Sequence, residues 1–354
     1  MIPTHPIRAV VPCRACLSGE DLDWLGGGRS VSVALSLTTT VEAMPTPAPD
    51  RQTVDDWSWE VWAFLRERLP GLGPRPPAVT VRSEAPEASG LSSSTARIVA
   101  LLRAFTDPSF TGRSVGDDTI TQWAYEFEFA VFNGGGMDHL AVVEGGALLL
   151  EGREHGLPAV RERLEFPDEW RVLVVDSGTR KDTRHHIRDV RAQLAAGDPA
   201  LAAYRAVADE ASGRVWEALH GRDLPGLGAA MVRAHEAMRD QQRMSTPFLE
   251  ELRSLALRVV GLPLKLSGAG GGGALVGVCP ADAVEETVAR LTRALSVSHP
   301  QAKVLPTRAA PGARRGSVPA GQGGAEPVEG AADPLPSVSA AAIAPGGRRQ
   351  RASP

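Results

Sequence analysis

The chain has 354 residues, 43% of them hydrophobic and 23% charged, with a formal net charge of -4. That length supports one large or two medium domains with a sizeable core. The charge gives no electrostatic reason to expect nucleic acid or an anionic membrane as a partner, and no run approaches the roughly 18 apolar residues of a membrane span.

In chain order, residues 7–17 and 30–42 read as strands flanking a turn at Gly26-Gly27-Gly28. Thr53 can cap a helix over 54–69, where Trp57, Val61, Phe64 and Leu65 recur at helical spacing. Residues 78–83 predict a strand, 97–105 and 118–131 helices, and 139–151 and 171–176 strands. From 182 to 260 the pattern is nearly all helical, with a break near 221–227. Strands at 262–279 flank a glycine run, and a helix at 281–296 and a strand near 302–305 follow. The expectation is an α+β protein of two lobes, 1–160 and 161–305. The Pro-, Gly- and Ala-rich stretch 306–354 reads as a disordered tail, too poor in apolar residues to offset its ordering entropy. Cys13, Cys16 and Cys279 make no disulfide framework, and Met1 to Pro6 lacks the basic and apolar blocks of a secretory signal. A cytoplasmic protein, monomer or homodimer, is expected.

Four segments carry chemistry. Gly90-Leu91-Ser92-Ser93-Ser94-Thr95-Ala96 follows a predicted strand and opens a helix. Unpaired N–H groups at a helix start, aligned with the dipole, make an anion site. No Gly-Lys-Ser/Thr ends the loop, so it is not a Walker motif; a serine-capped helix that binds nothing is the plainer alternative. Ser267-Gly268-Ala269-Gly270-Gly271-Gly272-Gly273 sits between two strands, where glycines suit close passage of backbone past a ligand or another loop; a flexible hairpin is the alternative. Gly19-Glu20-Asp21-Leu22-Asp23, behind Arg14, offers carboxylates to polyol hydroxyls or to solvent. Asn133-Gly134-Gly135-Gly136-Met137-Asp138 puts a carboxylate directly after glycines, where a substrate can come close, although such an Asp is commonly a turn residue.

The order and spacing of these segments resemble the GHMP kinases. Pro12-Cys13-Arg14 with Gly19-Glu20 and Asp23 is similar to the N-terminal signature of the galactokinase-like members, Pro86 to Ala96 to their phosphate-binding loop, and Leu264 to Gly273 to their C-terminal glycine motif. The resemblance covers about residues 7–305. It implies a two-lobed fold, an N-terminal nucleotide-binding lobe and a C-terminal α/β lobe, and transfer of the γ-phosphate of ATP, with Mg²⁺, to a hydroxyl of a sugar or sugar-like small molecule.

Carried over position by position, the resemblance makes Gly90, Leu91, Ser92, Ser93, Ser94 and Thr95, with Gly270 and Gly271, the ATP-binding set. Ser94 falls on the Mg²⁺-binding serine. Glu126, 12 positions before Asp138, falls on the second metal residue, with Glu128 as its neighbouring competitor. Asp138 matches the aspartate facing the acceptor hydroxyl, and Arg14 the basic side chain beside it. Glu20, Asp23 and Gly136 fall on the substrate side. The chain departs from galactokinases in having Asp21 where they have histidine, no proline before Asp138, and Ser92 in place of glycine. These departures leave the phosphate chemistry intact and put galactose itself in doubt. A non-sugar alcohol as acceptor and a catalytically silent sugar sensor are the competing readings.

Cys13-Arg14-Ala15-Cys16 has metal spacing without a second pair and reads as core cysteine. His185-His186 on a helix start, with Arg180, Lys181 and Arg184 nearby, offers a metal site, but a basic substrate- or nucleotide-facing surface is favoured over that, and a plain solvated helix over both. His235 has no partner that the sequence reveals.

Overall fold

The structure is a computed structural model that describes residues 6–47, 54–132, 134–180 and 183–317. The elements run β1 (Ile7–Ser18), β2 (Arg29–Pro47), α1 (Asp56–Arg68), β3 (Pro77–Ser83), α2 (Ser93–Phe105), α3 (Pro108–Thr111), α4 (Asp117–Phe132), α5 (Met137–Glu144), β4 (Ala147–Glu151), β5 (Ala159–Leu164) and β6 (Trp170–Asp176). Then follow α6 (Thr183–Ala196), α7 (Pro199–His220), α8 (Leu224–Gln242), α9 (Pro247–Val260), β7 (Lys265–Leu266), β8 (Ala274–Pro280), α10 (Val284–Ser298), β9 (Lys303–Thr307) and β10 (Arg314–Ser317).

Two antiparallel sheets result. The first has the order β10-β1-β2-β4-β5, with β3 on the far half of β2; the second is β7-β8-β6-β9. The first half of β1 alternates buried and exposed residues, whereas Cys13–Ser18 is buried throughout. That change follows from cover on both faces, because α2, α5, α7 and α8 all pack on this strand. The ladder to β2 shifts register between Pro12 and Cys13. Proline has no N–H for the ladder, and just beyond it the Arg14 N–H donates to Leu91 O at 3.0 Å. The bulge thereby ties the strand to the start of α2.

α2 is buried over ten of its thirteen residues, because it lies on β1 and β2 and is covered by α1 and α4. Trp62 of α1 meets Phe105 edge-on at 5.1 Å, a favoured aromatic geometry. A second apolar cluster under the second sheet joins Tyr204, Met238, Leu249, Leu266 and Leu291.

The 139–151 reading is corrected. His139 to Glu144 belongs to a helix, and only Ala147–Glu151 is strand. Apolar runs of this length do not distinguish the two by periodicity; the Gly145-Gly146 pair, both at positive φ, separates them. Asp55 rather than Thr53 caps α1, accepting from Ser58 N, and Thr53 itself lies outside the described residues, as do Asn133 and Lys181. The long helical stretch divides into α6 to α9, with breaks at Gly197-Asp198 and Arg243–Thr246 besides the expected one. Past residue 306 the chain still pairs: β9 lies on β6, Ala309 bridges Leu35, and β10 runs along β1. The remainder of the tail, from 318, lies outside the described residues. No helix among the described residues is long and apolar enough to cross a membrane.

Candidate active site

The Gly90–Thr95 turn opens α2 as the sequence leads one to expect, but Ser92 does not cap it. Ser92 adopts a left-handed conformation (φ 61°) and makes no side-chain capping bond, so the turn's geometry is not that of an ordinary serine cap. Leu91 is buried and anchors the loop from below. The first N–H groups of α2 have no intrahelical acceptors, and the helix carries no acidic residue in its first turn.

Arg14 connects this loop to the Asp138 segment. Its Nη1 donates to Gly90 O at 2.6 Å, its Nε to Asp138 Oδ1 at 2.7 Å, and its Nη2 lies 2.6 Å from the same oxygen. Burial would push the Asp138 carboxyl up, but the Arg14 guanidinium outweighs it and, with His139 and Ser92 helping, holds the group below the usual carboxylate range. Asp138 stands in the first turn of α5, whose N-cap is Gly136. Gly136 passes tightly against Leu157 and Pro158.

Asp23 lies beside the same segment. It is 4% exposed and accepts the Met137 N–H at 2.9 Å. A Cβ on Gly135 would overlap the Asp23 carboxylate, which explains a glycine at that position. Burial raises the Asp23 carboxyl to about 7, the Met137 N–H opposes this, and the charges of Asp138 and Asp21 add to it. Asp21 is met by His186 of α6 at 2.7 Å, so the imidazole absent from this turn in the sequence arrives from another helix. That contact departs from the reading of His186 as solvated. Glu20 is engaged elsewhere: it forms a buried ion pair with Lys265, whose Nζ also donates to the carbonyls of Cys16 and Leu266, and it receives the Gly268 N–H at 3.3 Å.

Among the acidic residues of α4, the structure separates Glu126 from Glu128. Glu126 pairs with Arg68 and accepts from Gln122, away from the loop. Glu128 accepts Ser94 Oγ at 3.0 Å and Thr95 Oγ1 at 2.8 Å. Of the two, it is Glu128, the neighbouring competitor, that stands at the loop, and Glu126 that turns to Arg68. Glu128 precedes Asp138 by 10 positions, against 12 for Glu126. Glu128 and Ser94 are the hard oxygen donors able to hold a divalent cation here.

The second glycine segment buttresses the phosphate loop. Ala274 N donates to Ser89 O at 2.7 Å and Ser267 Oγ to Gly90 O at 3.3 Å, while Gly271 N and Gly273 N bind Met244 O and Thr179 O. Gly270 packs against Met244, and Gly271 has open space where a side chain would stand. Gly273 (φ 87°) leaves only 2.5 Å between a would-be Cβ and Ser89 O. His235 also gains partners the sequence did not reveal. Its Nδ1 takes the Leu266 N–H at 3.1 Å and its Nε2 faces Glu250 at 2.7 Å, so it carries its proton on Nε2 and holds β7 in place. The three cysteines are free and buried.

A glycine- and serine-rich loop at a buried helix start, joined through Arg14 to the Asp138 carboxylate, fits a phosphotransferase with an alcohol as acceptor. Two family models match the chain, the GHMP kinases N terminal domain over residues 58–146 and the GHMP kinases C terminal over residues 216–297. A galactokinase of Mycobacterium bovis (strain BCG / Pasteur 1173P2) is 27% identical over 287 residues, 72% of this chain and 77% of that protein. In fold, the chain is similar to Lactococcus lactis galactokinase complexed with galactose (TM-score 0.70, 15% identity, 88% of this chain and 95% of that one). It is also similar to L. major mevalonate kinase in complex with R-mevalonate (TM-score 0.68, 20% identity, 86% and 96%). The chain belongs to the GHMP kinase family and is an ATP-dependent kinase of that family.

Proposed function

We propose that the protein transfers the γ-phosphate of ATP to a hydroxyl of a sugar or sugar derivative, with Asp138 as the base. The observation that carries this reading is the Arg14 bridge, which joins the phosphate loop through Gly90 O to the Asp138 carboxylate. An ionised Asp138 is able to take the acceptor's proton as its oxygen attacks phosphorus, a contribution typically of about 10²–10⁴-fold. Arg14 keeps Asp138 ionised and opposes charge that builds on the transferred group. The amides at the start of α2 orient the triphosphate.

Glu128 and Ser94 fit Mg²⁺, which binds through one or two carboxylates plus substrate phosphates and retains several waters. Among the described residues, no group of three or more His, Cys, Asp or Glu is arranged to hold a metal by itself. When bound, Mg²⁺ supplies charge neutralisation on the phosphates; the residues' own part is to present two oxygens beside the loop.

Asp23 supports a polyol acceptor, since a buried carboxyl near its midpoint at neutral pH is able to accept from or donate to a hydroxyl. Glu20, spent on Lys265, is removed from the acceptor-binding set. That loss favours a second reading, a non-sugar alcohol in the same pocket. Incubation with ATP, Mg²⁺ and panels of sugars, sugar phosphates and non-sugar alcohols decides between them. ADP formed only with the last panel would overturn the sugar assignment.

A further inference from the structure

We propose that Ser267 is a positioning residue of the nucleotide site, its hydroxyl holding the Gly90 carbonyl inward so that the loop's amides face the triphosphate. The inference rests on the reading above, in which those amides orient the triphosphate.

Ser267 directly follows β7 and is fully buried. Its Oγ accepts the Cys16 N–H at 3.1 Å and donates to Gly90 O at 3.3 Å. Because a hydroxyl has one proton, and the Cys16 N–H occupies a lone pair, that proton is left for Gly90 O. The Ser267 N–H is fixed as well, donating to Ala274 O at 3.0 Å across the glycine turn. One side chain thereby ties β1, the phosphate loop and the second sheet together.

Gly90 O is the middle one of three successive carbonyls that are held. Ser89 O takes the Ala274 N–H at 2.7 Å, Gly90 O takes Arg14 Nη1 and Ser267 Oγ, and Leu91 O takes the Arg14 N–H at 3.0 Å. The partners are neighbours of one another, since Arg14 and Ser267 share Gly90 O and Ser267 is bonded to Ala274. These peptides are trans, and in a planar trans peptide the C=O and the following N–H point in opposite directions. The N–H groups of Gly90, Leu91 and Ser92 are therefore turned away from β1 and β8. None of the three donates to a backbone carbonyl among the described residues.

The backbone angles agree. Ala88, Gly90 and Ser92 have positive φ (52°, 85° and 61°), and Ser89 and Leu91 do not. Alternation of this kind curls successive N–H groups into an anion-binding concavity. Ala88 and Ser92 hold a conformation that is costly without glycine and that persists only where the surroundings over-determine it. The held carbonyls supply that constraint, and Ser267 supplies its share through a side chain, which a substitution can remove without deleting a backbone bond.

The test is calorimetric titration of the full chain, with Mg²⁺, by the β,γ-imido analogue of ATP and separately by AMP, for the parent, Ser267→Ala and Ser212→Ala. Ser212 is another fully buried serine, bonded to Ser18 Oγ and Ala208 O away from the loop, so its variant reports the loss of a buried hydroxyl alone. Ser267→Ala is expected to weaken the triphosphate analogue about five- to tenfold, the equivalent of one net hydrogen bond. AMP, which lacks the β- and γ-phosphates, should stay within about twofold, and Ser212→Ala should leave both ligands within about the same limit. Should Ser267→Ala not fold, Ser267→Cys, close in size with a weaker donor, replaces it, with a loss in the same direction expected for the triphosphate only. Triphosphate affinity within about twofold of the parent, equal weakening of both ligands, or the same loss from Ser212→Ala overturns the proposal. A parent that binds the triphosphate analogue no more tightly than AMP would instead remove the loop as the phosphate site and take the underlying reading with it. A parent that prefers the triphosphate, together with an unchanged Ser267 variant, sinks only the role of Ser267.

Discussion

Arg14 and Asp138 meet at 2.6–2.7 Å through two nitrogens of the guanidinium, with the Arg14 side chain 4% exposed and that of Asp138 28%. Each residue needs the other. The arginine is buried beneath the phosphate loop and has no other carboxylate among its hydrogen-bond and ion-pair contacts with the described residues, and without it burial would raise the aspartate's carboxyl. On the proposed mechanism, Asp138→Asn abolishes turnover while ATP-analogue affinity stays within about threefold, since asparagine keeps the shape but cannot take a proton. Arg14→Met also loses turnover, and its thermal midpoint falls. Breaking a fully buried pair costs about 3–5 kcal/mol, and the partial exposure of Asp138 places this pair toward or below the lower end. Turnover by Asp138→Asn close to that of the parent would exclude the residue as base.

Glu126 and Glu128 make opposite predictions. Glu126→Gln removes a surface ion pair with Arg68, worth about 0–1 kcal/mol, and should leave turnover within about twofold. Ser94→Ala, by contrast, removes one of the two oxygens beside the loop, so the Mg²⁺ concentration giving half-maximal rate should rise at least severalfold. Steady-state rates over a Mg²⁺ titration compare the two variants. A large effect from Glu126→Gln with none from Ser94→Ala would reverse the assignment made from the geometry.

What was legible in the sequence and what was not follow from distance along the chain. The loop at Gly90–Thr95, the glycines before Asp138 and the strand bearing Arg14 are each written into a short segment whose residue types serve one local need. The helix at His139 to Glu144 is not legible in the sequence, because its six residues are mostly apolar and offer no period. Glu126 and Glu128 are two positions apart on one helix, and only the contacts of Glu128 with Ser94 and Thr95 distinguish them. The remaining misses pair residues far apart in sequence: His186 with Asp21 and Lys265 with Glu20 are separated by 165 and 245 positions. Lys265 gives no sign in the sequence that it is fully buried.

Among the described residues, Lys265 and Glu20 form the ion pair with least access to solvent, at 0% and 3% of their side chains. Lys265→Met leaves Glu20 negative in the core beside the Gly268 amide, and a loss of about 3–5 kcal/mol is expected. Adding Glu20→Gln to Lys265→Met should recover a large part of that loss, because the stranded charge is gone; contacting residues of this kind couple by about 0.5–3 kcal/mol. Denaturant unfolding of the two single variants and the double variant reads the coupling. Strictly additive losses would mean that the two side chains do not act as a pair.

Gly273→Ala tests the buttress beneath the phosphate loop. A Cβ there would stand 2.5 Å from Ser89 O at a backbone φ of 87°, so the chain must shift and strain together. The shift falls on Ser89, one residue before the loop, and the expected result is a rise of at least severalfold in the KM for ATP with a smaller change for the acceptor. An equal rise in both KM values would point to general loosening rather than to a displaced loop.

The pH dependence of stability isolates Asp23. Its folded carboxyl stands at about 7 against an ordinary 3.8, through burial first and the charges of Asp138 and Asp21 after it. An acid whose pKa is raised on folding holds its proton more tightly in the native state. Its contribution is therefore fully present below about pH 4 and is lost as pH rises through about 7. Asp23→Asn keeps an oxygen for the Met137 N–H and never ionises. The variant's advantage in stability over the parent should therefore begin near pH 4, grow through neutrality and level off above it, reaching on the order of 4 kcal/mol if the full rise is realised. Chemical denaturation at intervals from pH 4.5 to 8.5 measures the difference directly. A stability difference that stays flat across that range would mean that Asp23 ionises in the folded protein as readily as it does in water, and its place as a proton-sharing contact for an acceptor hydroxyl would fall with it.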